Sequence, residues 1–158
     1  MANWCQNTMM FENKEDVKRV LKLLAHPETE YSFEEVLPIP DGIRNSRAWK
    51  KEHWGTEWDV LNLTSNDRCI GFESGWDAPV GIYAALVREF PDMRVDIIWN
   101  EDGAGIAGRL LADGDGTFRI SEGEYDCDIE DDDEWNRGWQ EFLRETYERA
   151  ERAERVTA

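Results

Sequence analysis

The stretch ESGWDAPVGIYAALVREFPDMRVDIIWNEDGAGIAGRL, residues 73–110, holds the clearest helix and strand signals of the chain. Asp77 is a typical cap, and Pro79 suits the first turn of a helix. Five apolar residues follow at helical spacing and predict a helix over 79–90 with one buried face: Ile82, Tyr83, Leu86, Val87 and Phe90. β-branched residues then predict a strand over 93–99.

Strand and helix signals continue on both sides of this stretch. Downstream, Gly103 and Gly105 predict a turn into a returning strand over 106–112. Upstream, further strands are predicted at 3–12, 57–64 and 68–74, and a helix at 14–25 with Asn13 as its cap. The polar residues 41–56 are predicted to form a long connection or lid. A strand from Thr117 and a final helix from about Asp133 to Arg155 complete the chain.

The order of these elements predicts one α+β domain over residues 1–158. It matches a ferredoxin-like antiparallel sheet with two helices on one face, over residues 1–118. Residues 119–158 then add an acidic strand or loop and a C-terminal helix. Periodicity alone leaves other α+β arrangements open.

Composition predicts a soluble protein of the cytoplasm of a cell. The 158 residues are 41% hydrophobic, and no apolar run approaches the ~18 residues of a membrane span. The N-terminus lacks the pattern of a signal peptide. Cys5, Cys69 and Cys127 have no metal-like spacing and are interpreted as reduced thiols.

Charge is the most unusual property of the chain. The formal net charge is −17, from 35 acidic and 18 basic residues. Residues 101–158 hold 18 of these acids against 7 bases, so the excess is concentrated in the C-terminal third. A field of this sign repels nucleic acid and attracts basic surfaces. Simple solubility is the alternative explanation.

The acidic segment, residues 122–134, contains nine acids and no base. If it forms a strand, Glu122, Glu124, Asp126 and Asp128 project from one face, about 6.7 Å apart, which is the order of the phosphate spacing in nucleic acids. A solvated loop is the alternative. The predicted partner-binding residues are Glu122, Glu124, Asp126, Asp128, Glu130, Asp131, Asp132, Asp133, Trp135 and Trp139.

A loop rich in tryptophan is the second candidate site. Its residues are either a structural plug or a recognition patch, since tryptophan is frequent in interface hot spots. They are Trp54, Gly55, Thr56, Trp58 and Asp59, with Trp76 nearby. The structural role is the favoured interpretation.

Motifs for catalysis, cofactors and metals are weak. Gly103, Gly105 and Gly108 satisfy GxGxxG, but a nucleotide site needs a helix after that loop, and the sequence favours a hairpin. The start of a calcium-loop pattern at Asp126 lacks the required Gly and Glu. We therefore predict no enzyme activity, no cofactor and no metal.

Four stretches resemble the YubB-like family of phage and plasmid proteins. They are NWCQNT at 3–8, YSFEEVLPIP at 31–40, HWGTEWDV at 53–60 and the long stretch at 73–110. The resemblance covers residues 2–118 and leaves out the acidic segment and the last helix. It implies a ferredoxin-like fold without iron–sulfur ligands, and an origin on a mobile element. It implies no reaction.

Charge and resemblance together predict a non-enzymatic interaction protein. Its acidic surface is expected to occupy the basic, nucleic-acid-binding site of a host defence protein, of the restriction or CRISPR type. Direct binding of nucleic acid is not expected, because Arg44 to Lys51 is the only basic cluster. The alternative is a small-molecule or peptide-binding module, or an enzyme, built on the Trp54–Asp59 loop and the Gly103–Gly108 hairpin.

Overall fold

A seven-stranded antiparallel sheet forms the centre of the protein. The computed structural model describes residues 3–125 and 130–158. The helices and strands, in chain order, are β1 (Trp4–Phe11), α1 (Lys14–Leu24), β2 (Ala25–His26), β3 (Glu30–Tyr31), α2 (Ser46–His53), β4 (Leu61–Ser65), β5 (Cys69–Gly75), α3 (Val80–Glu89), β6 (Arg94–Glu101), β7 (Ile106–Asp113), β8 (Thr117–Glu124), α4 (Asp132–Arg152) and β9 (Val156–Thr157). A single 3₁₀ turn spans Phe33–Glu35.

The order of strands across the sheet is β4-β5-β1-β6-β7-β8-β9, and β2 and β3 form a separate small ribbon. All pairings are antiparallel. The mixed α+β class and the single antiparallel sheet predicted from the sequence are therefore confirmed. Each of the five strands predicted within residues 3–112 is present, with ends that move by one to four residues.

The main core lies between the sheet and two helices. Alternate residues of β1, such as Met9 and Phe11, are buried, and β6 shows the same alternation. The apolar stripe of α1 and that of α3 belong to the same buried cluster as these strand residues. Asn13 caps α1 by accepting a hydrogen bond from the Glu15 amide at 3.0 Å. Asn13 and both apolar stripes follow the sequence pattern, whereas the predicted cap Asp77 is wrong, because the N-cap of α3 is Pro79 and no side chain caps the helix.

The polar connection at 41–56 differs from the prediction of a long connection or lid. It contains α2, which begins after Asn45; the Asn45 side chain accepts a hydrogen bond from the Ala48 amide at 3.1 Å. No residue of α2 is buried, so the helix lacks the apolar stripe by which helices are found in sequence. Its end leads directly into the buried side chain of Trp54.

The long helix α4 covers the opposite face of the sheet. Leu110 of β7 points into the main core, so its neighbour Arg109 points to the other face. There its guanidinium binds Asp96 through two bonds of 2.9 and 2.7 Å, and Glu151 of α4 at 2.9 Å. Gly123 of β8 lies beneath the Phe142 ring, where an added Cβ would be 3.0 Å from the ring edge. Helices thus lie on both faces.

Arg109 should be the residue that holds α4 on the sheet most strongly. We expect Arg109→Met to lower the free energy of unfolding by about 2–3 kcal/mol, because charge-assisted hydrogen bonds are lost and Asp96 is left without its partner. The exposed pair of Arg144 and Glu148 is the matched control, and Arg144→Met should cost about 0.5 kcal/mol. Hydrogen exchange should show faster opening of α4 in the first variant only. Equal protection of α4 in both variants would contradict the assignment.

Candidate interaction surface

The acidic segment leaves the sheet at the end of β8 and enters α4. Glu122 and Glu124 alternate in β8 and are both exposed, on one face of the strand. The carboxylate of Glu122 accepts a hydrogen bond of 2.7 Å from the indole N–H of Trp99. β8 ends at Glu124. Asp126 and Asp128, predicted to extend the same row of carboxylates, lie outside the described residues.

Several acids after the strand have a local structural use. Asp131 caps α4 by accepting a hydrogen bond of 2.8 Å from the Glu134 amide. Asp132, Asp133 and Glu134 occupy the first helical turn, where the helix dipole favours negative charge. These carboxylates are nevertheless exposed to solvent. Their position stabilises the helix start and leaves the carboxylates accessible to solvent.

An aromatic cluster lies between the end of β8 and α4, next to the acidic segment. The Tyr125 ring lies 6.3 Å from Trp135, 5.7 Å from Trp139 and 5.6 Å from Phe142. Trp135 stacks on Trp139 at 5.6 Å, and Trp139 is buried. Gly138 makes room for Tyr125, because an added Cβ would lie 2.4 Å from the phenol oxygen. The two tryptophans predicted to bind the partner therefore serve first to fix α4.

Charge pairing differs between the acidic segment and the rest of the protein. Several basic side chains elsewhere are held in ion pairs, such as Arg19 with Asp92 and Arg119 with Asp113. Within the part of the chain that the structure describes, none of the acids from residue 122 to 134 lies in an ion pair with Lys or Arg. The excess negative charge of the protein is therefore left unpaired on the acidic segment.

The basic cluster at residues 44–51 is largely neutralised. On α2, Arg47 pairs with Glu57 at 2.6 Å, and Lys51 pairs with Asp77. The Lys50 ammonium lies 5.3 Å from the centre of the Trp54 ring. These three cations are therefore engaged by other groups of the same molecule, which leaves little basic surface for binding phosphates.

The residues of the tryptophan loop are mostly engaged in packing. Trp54 is fully buried and donates its indole N–H to the Leu37 carbonyl at 2.9 Å. Thr56 is also buried and donates its hydroxyl to the Gly75 carbonyl at 2.8 Å. Gly55 has a φ of +90°, and an added Cβ would lie 3.0 Å from the Ala78 carbonyl oxygen. The loop is therefore tightly fitted to the start of α3.

Asp59 joins this loop to the 3₁₀ turn. Its carboxylate accepts hydrogen bonds from the Ser32 hydroxyl at 2.6 Å, the Phe33 amide at 2.7 Å and the Val60 amide at 2.8 Å. Three donors on one carboxylate leave little capacity for a ligand. Trp58 is only half-buried and lies against Gly75, and Trp76 is 39% exposed.

A buried polar network in the main core was not anticipated from the sequence. Tyr83 of α3 donates its hydroxyl to the Asn7 side chain at 2.5 Å, and Asn7 donates to the Ser74 hydroxyl at 2.9 Å. Ser74 in turn donates to the Asp77 carbonyl at 2.7 Å. Asn7 lies between Cys5 and Met9 on the buried face of β1, and one polar residue on an otherwise apolar strand face is the only signal that sequence offers. The network fixes α3 on β1 and β5.

Cys5 lies beside this network and is not an activated thiol. Burial is the largest cause that raises the pKa of Cys5, to about 12, so the side chain stays protonated at neutral pH. The His53 ring stacks on Trp49, with ring centres 4.3 Å apart. Cys69 is half-buried, and Cys127 lies outside the described residues.

The glycines of the GxGxxG match lie in a hairpin. Gly103 and Gly105 form the turn between β6 and β7, and Gly108 lies within β7, under the Trp99 ring. An added Cβ on Gly108 would be 2.2 Å from that ring. The turn is closed by Glu101, which accepts hydrogen bonds from the amides of Gly103 at 2.9 Å and Ala104 at 2.6 Å. A strand follows the motif here, where a nucleotide site has a helix.

Comparison with family models, curated proteins and solved structures finds no match for this chain. Among residues 3–125 and 130–158, no three His, Cys, Asp or Glu side chains are arranged to hold a metal ion. In the same residues, no helix combines the length and the apolar character needed to cross a bilayer.

Proposed function

We propose that this chain is an interaction protein of a phage or plasmid that inhibits a host defence system. Its acidic segment is proposed to bind the basic, nucleic-acid-binding surface of a defence protein, such as a restriction or CRISPR component. The observation that supports this proposal is the exposed, unpaired negative charge of the acidic segment. The described acids of the segment are exposed and carry no cation, whereas several bases elsewhere, such as Arg19 of α1 and Arg119 of β8, are used in ion pairs.

Geometry supports mimicry of a nucleic-acid backbone. Glu122 and Glu124 project from one face of β8, with a spacing of about 6.7 Å that follows from the strand rise. The acids at the start of α4 add negative charge on the other face of the sheet, where the aromatic cluster holds helix and strand together. Two carboxylates at this spacing can replace neighbouring phosphates in a basic groove. Phosphate contacts dominate the affinity of such grooves for nucleic acid.

The proposed relation to the YubB-like family rests on the fold. We propose a ferredoxin-like core formed by β1, α1, β4, β5, α3 and β6. In its support, β1 lies between β5 and β6, and β4 lies beyond β5, which is the strand order expected for two interleaved βαβ units. In this proposal β7, β8 and α4 extend that core and carry the acidic segment.

No second function is proposed, because the loop considered for it is committed to packing. Trp54 and Thr56 are buried, and the Asp59 carboxylate already accepts three hydrogen bonds. The hairpin turn at Gly103 is likewise closed by Glu101. A ligand in this region would have to displace contacts that hold the fold.

The proposed function is tested by removing charge at two places. The acid-neutralised variant carries Glu124→Gln, Glu130→Gln and Asp133→Asn. Its matched control carries Glu28→Gln, Glu34→Gln and Asp67→Asn, three exposed acids of the region between α1 and β5. Both variants change the net charge by the same amount. A pull-down from host lysate at low and high salt supplies the partner.

The association rate with that partner is then measured against ionic strength. We expect the acid-neutralised variant to associate about tenfold more slowly at low salt and to show a shallower salt dependence, since electrostatic steering acts mainly on association. The control should stay within about twofold of the wild type. A DNA duplex should compete with the wild type for the partner. Equal rates and salt slopes for both variants would refute the proposed function.

A further inference from the structure

Three tryptophans meet at one corner of the sheet. Trp4 of β1 pairs with Gly75 of β5, and the Trp58 ring lies on Gly75, where an added Cβ would be 2.9 Å from the ring. The rings of Trp4 and Trp58 are 5.1 Å apart. Trp76 follows Gly75, and its amide donates to the Asn3 carbonyl at 2.9 Å. We name Trp4, Trp58 and Trp76 the tryptophan corner.

The backbone at Trp76 is strained, and its side chain is only partly buried. Its φ is +68°, in the left-handed region that bulky residues rarely adopt. The side chain is 39% exposed, as is that of Trp4. Such strain costs of the order of 1–3 kcal/mol, and it is found most often at sites of function. A glycine would adopt this backbone conformation without strain. The strain is therefore tolerated at this position because the indole side chain is needed there.

The tryptophan corner and the acidic segment lie at the same end of the sheet. β1 starts there and β5 ends there; β6, β7 and β8 pair in register, so that Glu101, Ile106 and Glu124 lie side by side at that end. The turn between β6 and β7 touches Asn3 on one side, and on the other side Tyr125 donates its amide to the Gly105 carbonyl at 2.5 Å. Four strand spacings separate β5 from β8, or about 19 Å. Trp4 alternates with the buried Cys5 in β1 and therefore points to the face of the sheet that α4 covers, so one protein partner can cover the tryptophan corner and the acids at the start of α4.

We propose that the tryptophan corner binds arginine side chains of the partner whose basic surface faces the acidic segment. This inference rests on the proposed function and adds the chemistry of recognition. A guanidinium is more weakly hydrated than an ammonium and stacks on indole faces, so exposed tryptophans beside negative charge favour arginine over lysine. The neighbouring cations Arg47 and Lys51 are neutralised by Glu57 and Asp77 and leave the corner free of excess positive charge.

The test uses two peptides of equal charge, nona-arginine and nona-lysine. Dissociation constants are measured by calorimetry for the wild type and for Trp76→Gly, Trp4→Ala and the acid-neutralised variant. We expect the wild type to bind nona-arginine at least fivefold more tightly, a ratio that corresponds to about 1 kcal/mol of stacking. Trp76→Gly and Trp4→Ala should each reduce this ratio toward one. The acid-neutralised variant should bind both peptides more weakly and keep the ratio.

Controls separate loss of binding from loss of structure. Trp76→Gly should melt within a few degrees of the wild type, because relief of the backbone strain offsets the lost burial of the indole. Val156→Ala removes an exposed apolar side chain of β9, at the other edge of the sheet, and should leave the ratio unchanged. A wild-type ratio of one, or a ratio unaffected by both tryptophan variants, overturns the inference and leaves the proposed function standing. Unchanged binding of both peptides by the acid-neutralised variant overturns the inference together with its electrostatic premise.

Discussion

Trp54→Ala should lower the free energy of unfolding by about 3–5 kcal/mol, the usual cost of truncating a large aromatic residue in a core. Trp54 is fully buried, and its ring makes edge contacts with Phe33 at 5.6 Å and Trp49 at 6.3 Å. The substitution also leaves the Leu37 carbonyl without its donor. Since small domains are stable by only about 5–15 kcal/mol, this variant should unfold at much lower urea concentration.

Trp58→Ala is the matched control for this prediction. Trp58 is half-buried and rests on Gly75, so we expect a smaller loss, about 1–2 kcal/mol. The sequence favoured a structural role for the loop as a whole, and burial assigns most of that role to Trp54. Equal midpoints of urea unfolding for Trp54→Ala and Trp58→Ala would contradict the assignment of the main structural role to Trp54.

Gly81→Ala should be strongly destabilising, by about 3 kcal/mol or more, although alanine is the better helix former. An added Cβ at Gly81 would lie 1.8 Å from the carbonyl oxygen of His53 and 2.8 Å from its carbonyl carbon. The Gly81 amide also donates to the Trp54 carbonyl at 3.0 Å. The end of α2 and the start of α3 therefore pack backbone against backbone, and they must separate to admit a methyl group.

Gly71→Ala provides the contrast. An added Cβ there would meet the Thr64 hydroxyl at 3.5 Å and the Asn7 carbonyl oxygen at 3.8 Å, which are ordinary contacts. Because alanine loses less backbone entropy than glycine on folding, we expect Gly71→Ala to be neutral or stabilising by about 0.5–1 kcal/mol. Thermal melting of both variants gives the comparison. A stable Gly81→Ala protein would show that α2 can move away from α3.

Local patterns predicted most of the regular structure. The stripes of α1 and α3 and the strands of the sheet were visible because a buried face repeats every 3.6 or 2 residues. The cap at Asn13 was predicted from its residue type and confirmed. α2 escaped detection because a helix with no buried residue has no such repeat. The buried network at Asn7 escaped because it joins residues up to 76 positions apart.

For the candidate surface too, some features could be predicted from the sequence and others are visible only in the structure. The base-free run of acids and the tryptophans near them are properties of the sequence itself. Their local roles came from the structure: Asp131 caps α4, Glu122 accepts from Trp99, and Trp139 is buried beneath the segment. Residue type alone could not assign these roles, because each depends on a partner from another strand or from the start of a helix.

Composition and short-range periodicity were enough to predict the α+β class, the position of most strands and helices, and the location of the negative charge. Only the fold reveals that α4 covers the second face of the sheet, and that the tryptophan corner shares one end with the acidic segment. Both features follow from the order of the strands. Pairing of β1 with β5 and with β6 brings together residues that are far apart in the chain, and no local pattern records that choice.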